Sequence, residues 1–163
     1  AAGVHHSNAL ELCRRMVFNI LMDNTDDHEK NHALLVVNPY GNGRLKLAPA
    51  YDILPTHSGQ GHQEFICGAL GHESTLDNAM SECEAFGLLP NEAAQEVARV
   101  IEVVDGWRTH LAQVGVSAAD IEYLGQFIDG DELLAQRMGF EASRFANAGG
   151  KRAKPVKRGP FSV

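Results

Sequence analysis

Between two stretches of helical periodicity lies a segment that cannot itself be a helix. Residues 48–56 read APAYDILPT, and Pro49 and Pro55 bracket the run. Proline lacks the amide proton that a helix interior needs and pushes the residue before it out of helical geometry. Just upstream, NPYGNG (38–43) concentrates turn residues between two short apolar-rich runs, ALLVV (33–37) and RLKL (44–47). That arrangement predicts a β-hairpin. A polar stretch, DNTDDHEKNH (23–32), comes first. Residues 23–56 therefore read as loop, hairpin and loop, and the helices must lie on either side.

On the N-terminal side, Leu10, Cys13, Val17, Ile20 and Leu21 recur at helical spacing and predict a helix over 9–22. Asn8 and Glu11 resemble a capping box at its start. Residues 57–73 are Gly-rich without a period and read as an irregular connection. Beyond them Thr75 is placed to cap a helix carrying Leu76, Met80 and Cys83 to about Phe86. Asn91 is placed to cap a long one, with Val97, Val100, Ile101, Val104, Trp107 and Leu111 on a single stripe. On that stripe Trp107 reads as core. Ser117 and Asp120 open another helix, leading into Ile121, Leu124 and Phe127, and a last one runs over 131–146 to end before Gly149-Gly150. The expected fold is mainly α with a small β-hairpin, in one domain.

Charge divides the chain unevenly. Five of its 14 Lys/Arg and none of its 21 acids fall in residues 149–163, so a net charge of −7 combines an acidic body over 1–148 with a basic tail. The tail is expected to be a solvated, disordered end, with a phosphate or partner contact as the alternative. An acidic body argues against general nucleic-acid binding. No apolar run approaches the roughly 20 residues that span a bilayer, and the first residues lack a signal-peptide pattern. Cys13, Cys67 and Cys83 are far apart with no C-x-x-C pair, as expected of reduced thiols in a cytoplasmic protein.

The polar stretch holds two overlapping chemical patterns. His28-Glu29-Lys30-Asn31-His32 fits H-E-x-x-H, in which a helix stacks two zinc-binding histidines on one face while the Glu polarises a metal-bound water. A third ligand would have to come from elsewhere, and Asp52 is available. The flanks argue against such a helix: Asn24-Thr25-Asp26-Asp27 precedes, and β-branched Val36-Val37 follows closely. The remaining histidines lack ligand spacing, although His57 and His62 flank a Gly-rich loop and are placed to line a site.

The second pattern is Asp26 followed five residues later by Asn31, then a hairpin, then Asp52. Phosphoryl transfer needs an acid to orient the attacking hydroxyl and oxygen ligands for Mg²⁺ on the phosphates. Three elements in this order are more specific than the zinc motif. Singly, Asp26 and Asp27 also suit ordinary turns, and Tyr51 also suits a packed aromatic. GNGRLK (41–46) lacks the strand–helix setting of a phosphate loop and reads as the hairpin turn.

The runs FNILMDNTDDHEKNHALL (18–35) and RLKLAPAYDILPT (44–56) closely resemble the C-terminal region of HipA-like serine/threonine kinases, toxins of bacterial toxin–antitoxin modules. The helical remainder with DGWRTHLAQVGVS resembles it more loosely. The resemblance implies the C-terminal, helical lobe of a protein-kinase-like fold. It implies ATP and Mg²⁺ as cofactors, Asp26 as catalytic base, and Asn31 and Asp52 as Mg²⁺ ligands. His28 and Lys30 would face the nucleotide phosphates, and Tyr51 would lie beside the nucleotide. Asn24 and Thr25 are expected to shape the loop through side-chain-to-backbone hydrogen bonds. Asp23 departs from the pattern, since members often have Gly there.

The resemblance also implies partners. Members phosphorylate protein serine or threonine, aminoacyl-tRNA synthetases among the targets, and pair with a DNA-binding antitoxin. A kinase further needs a Gly-rich cover and a strand lysine. Neither is found before residue 18, so an N-terminal kinase lobe is expected on the same or another chain, and this chain alone is expected to be nearly inactive. The competing expectations are a noncatalytic module that keeps the fold to bind an antitoxin or target, and a zinc hydrolase using His28 and His32.

Overall fold

The computed structural model describes residues 6–41, 43–56 and 61–146. The expected tail at 149–163 and His57 lie outside the described residues. The first element, α1 (His6–Leu21), leads into the polar loop, a 3₁₀ turn (Glu29–Asn31) and two strands, β1 (Leu34–Val36) and β2 (Leu45–Leu47). The strands pair antiparallel with Leu34 opposite Leu47 and Val36 opposite Leu45. This is the hairpin that the turn cluster predicts. Five helices follow: α2 (Leu76–Ser81), α3 (Pro90–Asp105), α4 (Trp107–Gln113), α5 (Ala118–Ile128) and α6 (Asp131–Gly139). The fold is mainly helical with one small hairpin.

The core forms where the apolar stripes of α1 and α3 meet. Cys13, Val17, Ile20 and Leu21 bury against Val97 and Val104, with Leu76, Met80 and Ile128 closing the cluster. A polar tie runs beside it. Glu96 on α3 accepts from Arg14 Nε at 2.8 Å and from Arg99, joining α1 to α3. At the C-terminal end Arg137 reaches out from α6 with its side chain almost fully buried. It donates to Asp105 at 2.9 Å, to the Ile128 carbonyl at 2.7 Å and to Asp129 at 2.7 Å. Asp129 also accepts from the Trp107 indole at 3.1 Å and from Arg108 at 2.8 Å. One carboxylate thus gathers three elements. Burial by itself would raise the Asp129 carboxyl, but these hydrogen bonds outweigh it and hold it below the usual carboxylate range.

Several boundaries differ from the sequence expectation, each for a physical reason. Asn8 is not a cap. It lies inside α1, where its amide donates to Leu45 O at 3.4 Å and its oxygen accepts from Leu47 N at 3.3 Å, pinning α1 to β2. Glu11 pairs with Arg15 at 3.0 Å, not with the Asn8 backbone. The helix expected from Thr75 to Phe86 stops at Ser81 and tightens into a 3₁₀ turn over Cys83–Phe86. The long helix starts at Pro90, ahead of Asn91, because proline suits the first helical position and Glu92 accepts from the Leu89 amide at 2.9 Å. It breaks at Gly106, so Trp107 begins a new helix. The last helix ends at Gly139, and Ala142–Phe145 form a 3₁₀ turn that returns to α3.

The two remaining caps stand as read. Thr75 accepts from Asn78 N at 3.2 Å, and Ser117 from Asp120 N at 3.1 Å. Trp107 is buried. The Gly-rich connection, from residue 61 onward, is irregular but tightly held. Isolated bridges join His62 to Glu73 and Gly68 to Gly71. Fully buried Asn78 fastens the turn, donating to Gly71 O and Glu73 O and accepting from Leu70 N at 2.8 Å. At Gly68 a Cβ would stand 1.9 Å from the Asn78 carbonyl, so only glycine fits there. The three cysteines are buried free thiols. Among the described residues no helix is long and apolar enough to cross a membrane.

Candidate functional site

The polar loop after α1 is built from short-range hydrogen bonds that its Asp, Asn and Thr residues supply. Asp23 opens it with φ 55°, in left-handed geometry. Glycine takes that conformation without penalty and Asp tolerates it better than most residues. This is the physical basis of the departure at Asp23: a residue with a Cβ holds a glycine-like turn. Asn24 is buried, bridging Asn19 Oδ1 at 3.1 Å and the Asp52 carbonyl at 3.5 Å. Thr25 meets Thr56, hydroxyl to hydroxyl, at 2.5 Å. Asn24 therefore makes the expected side-chain-to-backbone contact, while Thr25 uses a side-chain partner.

Asp26 follows with its side chain exposed, while Asn31 is buried and donates through Nδ2 to the Asp26 carbonyl at 3.0 Å. Between them the Glu29–Asn31 turn projects Lys30 into solvent. The Lys30 carbonyl accepts from the Tyr51 hydroxyl at 2.7 Å. Tyr51 is 44% exposed, so it is not a packed core aromatic; it meets the loop through its hydroxyl. Asp52, next to it, is exposed and has φ 57°. A non-glycine residue held in left-handed geometry stores strain that its surroundings must offset, a feature common at functional positions. Thr56 completes the join, its amide and hydroxyl both donating to Asp23 O, at 2.8 and 3.0 Å. Residues 23–31 and 51–56, which the hairpin separates in sequence, are thus laced together side by side.

His28 sits in the same loop with Nδ1 buried and without a hydrogen-bond partner. The zinc geometry is not met. His28 (φ −124°, ψ 173°) and His32 (φ −127°, ψ 122°) are both extended and flank a three-residue 3₁₀ turn, so they do not stack as i and i+4 on an α-helix. His32 Nε2 is already held by Asp27 Oδ1 at 2.8 Å. Among the described residues no group of three or more His, Cys, Asp or Glu is placed to hold a metal ion. His62 is exposed and pairs with Glu73 through a backbone bridge.

The sequence reading missed three contributors. Thr56 anchors both segments, Asp27 and His32 pair beneath the loop, and Glu64-Phe65 lies against it. The Glu64 amide donates to Thr25 O at 3.1 Å, and the Phe65 ring stands 5.5 Å from that of His32. Only Asp27 and His32 carried a hint, as neighbours of Asp26 and Asn31; the others come from distant sequence. Beside Asp27, burial first and the Asp27 charge second push the Cys67 thiol up to about 11.

Two clefts lie nearby. One of about 450 Å³ runs between α1 and β2, past Arg15 and Lys46, and another of about 270 Å³ lies between α1 and α3 beside Ile53. Neither is lined by Asp26, Asn31 or Asp52; Asp26 and Asp52 are exposed and Asn31 is buried beside them in the loop. The hairpin next to them exposes apolar residues on both sides: Leu34, Leu35, Val36, Val37 and Leu45.

Residues 2–107, well over half of the chain, match the family model described as the HipA-like C-terminal domain. Neither a curated protein nor a solved structure matches the chain.

Proposed function

The chain belongs to the family of HipA-like C-terminal domains, and from that premise we propose that it is the C-terminal lobe of a HipA-like protein serine/threonine kinase. The observation that carries this reading is the lacing of residues 23–31 to residues 51–56, which brings the loop of Asp26 and Asn31 beside the segment that carries Asp52. Asp26, exposed, is free to meet a substrate hydroxyl and accept its proton as the γ-phosphoryl group of ATP leaves. Asn31 has its nitrogen engaged by the Asp26 carbonyl, so its side-chain oxygen is the atom a cation would take. With the Asp52 carboxylate it forms the kind of sparse oxygen set that Mg²⁺ completes with phosphate and water. His28 and Lys30 would meet the phosphates, and the Tyr51 ring would flank the nucleotide.

An open face also needs a cover. The apolar hairpin beside it, which exposes Leu34, Leu35, Val36, Val37 and Leu45, suits burial against a second lobe that carries the Gly-rich loop and lysine. That lobe lies on the same or another chain. The substrate is then a protein hydroxyl, on the family pattern one of an aminoacyl-tRNA synthetase. A DNA-binding antitoxin would be the regulatory partner, in the bacterial cytoplasm. The same bare hairpin also supports a second reading, a noncatalytic module that binds an antitoxin or target.

One experiment separates the two. The chain is assayed with Mg-ATP alone, then with a kinase N-lobe joined upstream, each as wild type and Asp26→Ala. The kinase reading expects little phosphorylation by the chain alone and activity with the lobe, lost on Asp26→Ala. Equal inactivity of both joined proteins favours the binding module, and robust autophosphorylation by the isolated chain refutes the need for a second lobe.

A further inference from the structure

The loop that carries Asp26 and Asn31 is closed at its base by a contact that no motif announces. Asp27 Oδ1 and His32 Nε2 stand 2.8 Å apart. Like Asp26 and Asn31 they are five residues apart, and each is the covalent neighbour of one of those two. Both side chains are largely buried, 8% and 16% exposed. Opposite a carboxylate oxygen Nε2 is the donor, and a hydrogen bond to an ionised acceptor withdrawn from water is among the stronger side-chain contacts. The His32 ring is fixed again from outside by Phe65, whose neighbour Glu64 is bonded to Thr25 O. Backbone on one side and ring contact on the other leave the pair little room to shift.

We infer that Asp27 and His32 act as a positioning clamp that sets the register of the 26–31 loop, the register in which Asn31 donates to the Asp26 carbonyl. Peptide planarity makes this effective: pinning residues 27 and 32 confines the four residues between them to a closed loop with few conformations. Neither side chain needs to touch substrate. The clamp stands on the loop geometry alone; its consequence for catalysis rests on the kinase reading above. There it holds the Asp26 carboxylate and the Asn31 side-chain oxygen in a fixed relation.

The test reads the loop first and the cation second. In the ¹⁵N-labelled chain, hydrogen exchange of the Asn31 side-chain amide is compared for wild type, Asp27→Ala, His32→Phe, the double variant, and the conservative Asp27→Asn and His32→Gln. The clamp predicts about tenfold faster exchange in Asp27→Ala and in His32→Phe, no further gain in the double variant, and near wild-type exchange in the conservative pair, with Val97 and Val104 amides of α3 unchanged. Unchanged Asn31 exchange in the single variants overturns it. Additive effects overturn the pairing, and acceleration shared by α3 reduces it to a general stability contact.

The same variants, with Asn31→Ala, are then titrated with Mn²⁺ in the presence of ATP. A weakening of about tenfold in the clamp variants, matching Asn31→Ala, carries the clamp through to the cation. Mn²⁺ binding indifferent to Asn31→Ala refutes the cation role of Asn31, while the exchange result still decides the clamp.

Discussion

The helical body, α1 together with residues 76–146, and the polar region over 23–74 solve the same problem by opposite means. In the body, stripes on α1 and α3 bury Val17, Ile20, Leu21, Val97 and Val104, and many dispersion contacts share the load. In the polar region the order comes from single hydrogen bonds between side chains such as Asn24, Thr56, Tyr51 and Asn78, the last reaching in from α2, and a few carbonyls. Losing one partner there leaves a specific group unsatisfied, whereas losing one methyl in the body is felt by the whole domain. The first arrangement gives stability; the second gives an exposed face whose shape is nevertheless fixed. Asp26 and Asp52 are exposed, so their positions have to be set by bonds from behind.

That contrast can be broken or sharpened by experiment. The largest effect is expected in the body: Ile128→Ala should lower global stability by about 3 kcal/mol, read from a urea midpoint, with the slope unchanged. Thr56→Val keeps the shape but removes the hydroxyl shared with Asp23 and Thr25. It should cost about 1.5 kcal/mol, and amide exchange should show the change at Glu64 before α3. A loss as global as that of Ile128→Ala would erase the distinction between the regions.

Thiol chemistry offers a finer comparison. Burial pushes the Cys13 thiol up to about 12 and that of Cys67 to about 11, so neither reacts in place near neutral pH. Cys67 sits in the polar region and should become accessible by local opening, reacting about tenfold faster than Cys13 with an excess of a thiol reagent. Equal rates for the two would mean that the regions open together.

Asp23 tests the backbone. Asp23→Ala should destabilise by about 1 kcal/mol at φ 55°, and Asp23→Gly by less, since both remove the side chain and only glycine avoids the left-handed penalty, as measured by thermal unfolding.

The smallest effect concerns pH. Asp129 has a folded-state pKa below its unfolded one, so its contribution is complete above the ordinary carboxylate value near ~3.9 and is lost as pH falls through the lower folded value. In Asp129→Asn that part of the acid limb should disappear from an acid titration of stability.

Local signals were legible in the sequence because they act over three or four residues. Thr75 and Ser117 cap their helices through bonds to residues three positions on, and the alternation of turn and apolar residues gave the hairpin its place. The stripe from Val97 to Trp107 gave the core face but overran the break at Gly106. An isolated glycine in a helical pattern is tolerated, and here α3 ends at Asp105 and α4 begins at Trp107, whose indole reaches Asp129. Asn8 was misread for a related reason. Its local context suits a cap, and only the arrival of β2 offers it Leu45 O and Leu47 N inside the helix. At the site, Asp26, Asn31 and Asp52 were singled out by spacing, while Thr56 and Phe65 were not, since a pairing across 31 or more residues leaves no periodic trace.

By itself the sequence determined the mainly helical class, the hairpin between Asn31 and Asp52, and the family to which the chain belongs. These follow from periodicity, turn chemistry and short motifs, all of which are properties of neighbouring residues. Only the tertiary structure decided that two loops lie side by side, that Asp52 is held in left-handed geometry, and that Asp27 grips His32 beneath the loop. Such contacts depend on where the helical body delivers the ends of each loop, and no residue carries that information alone.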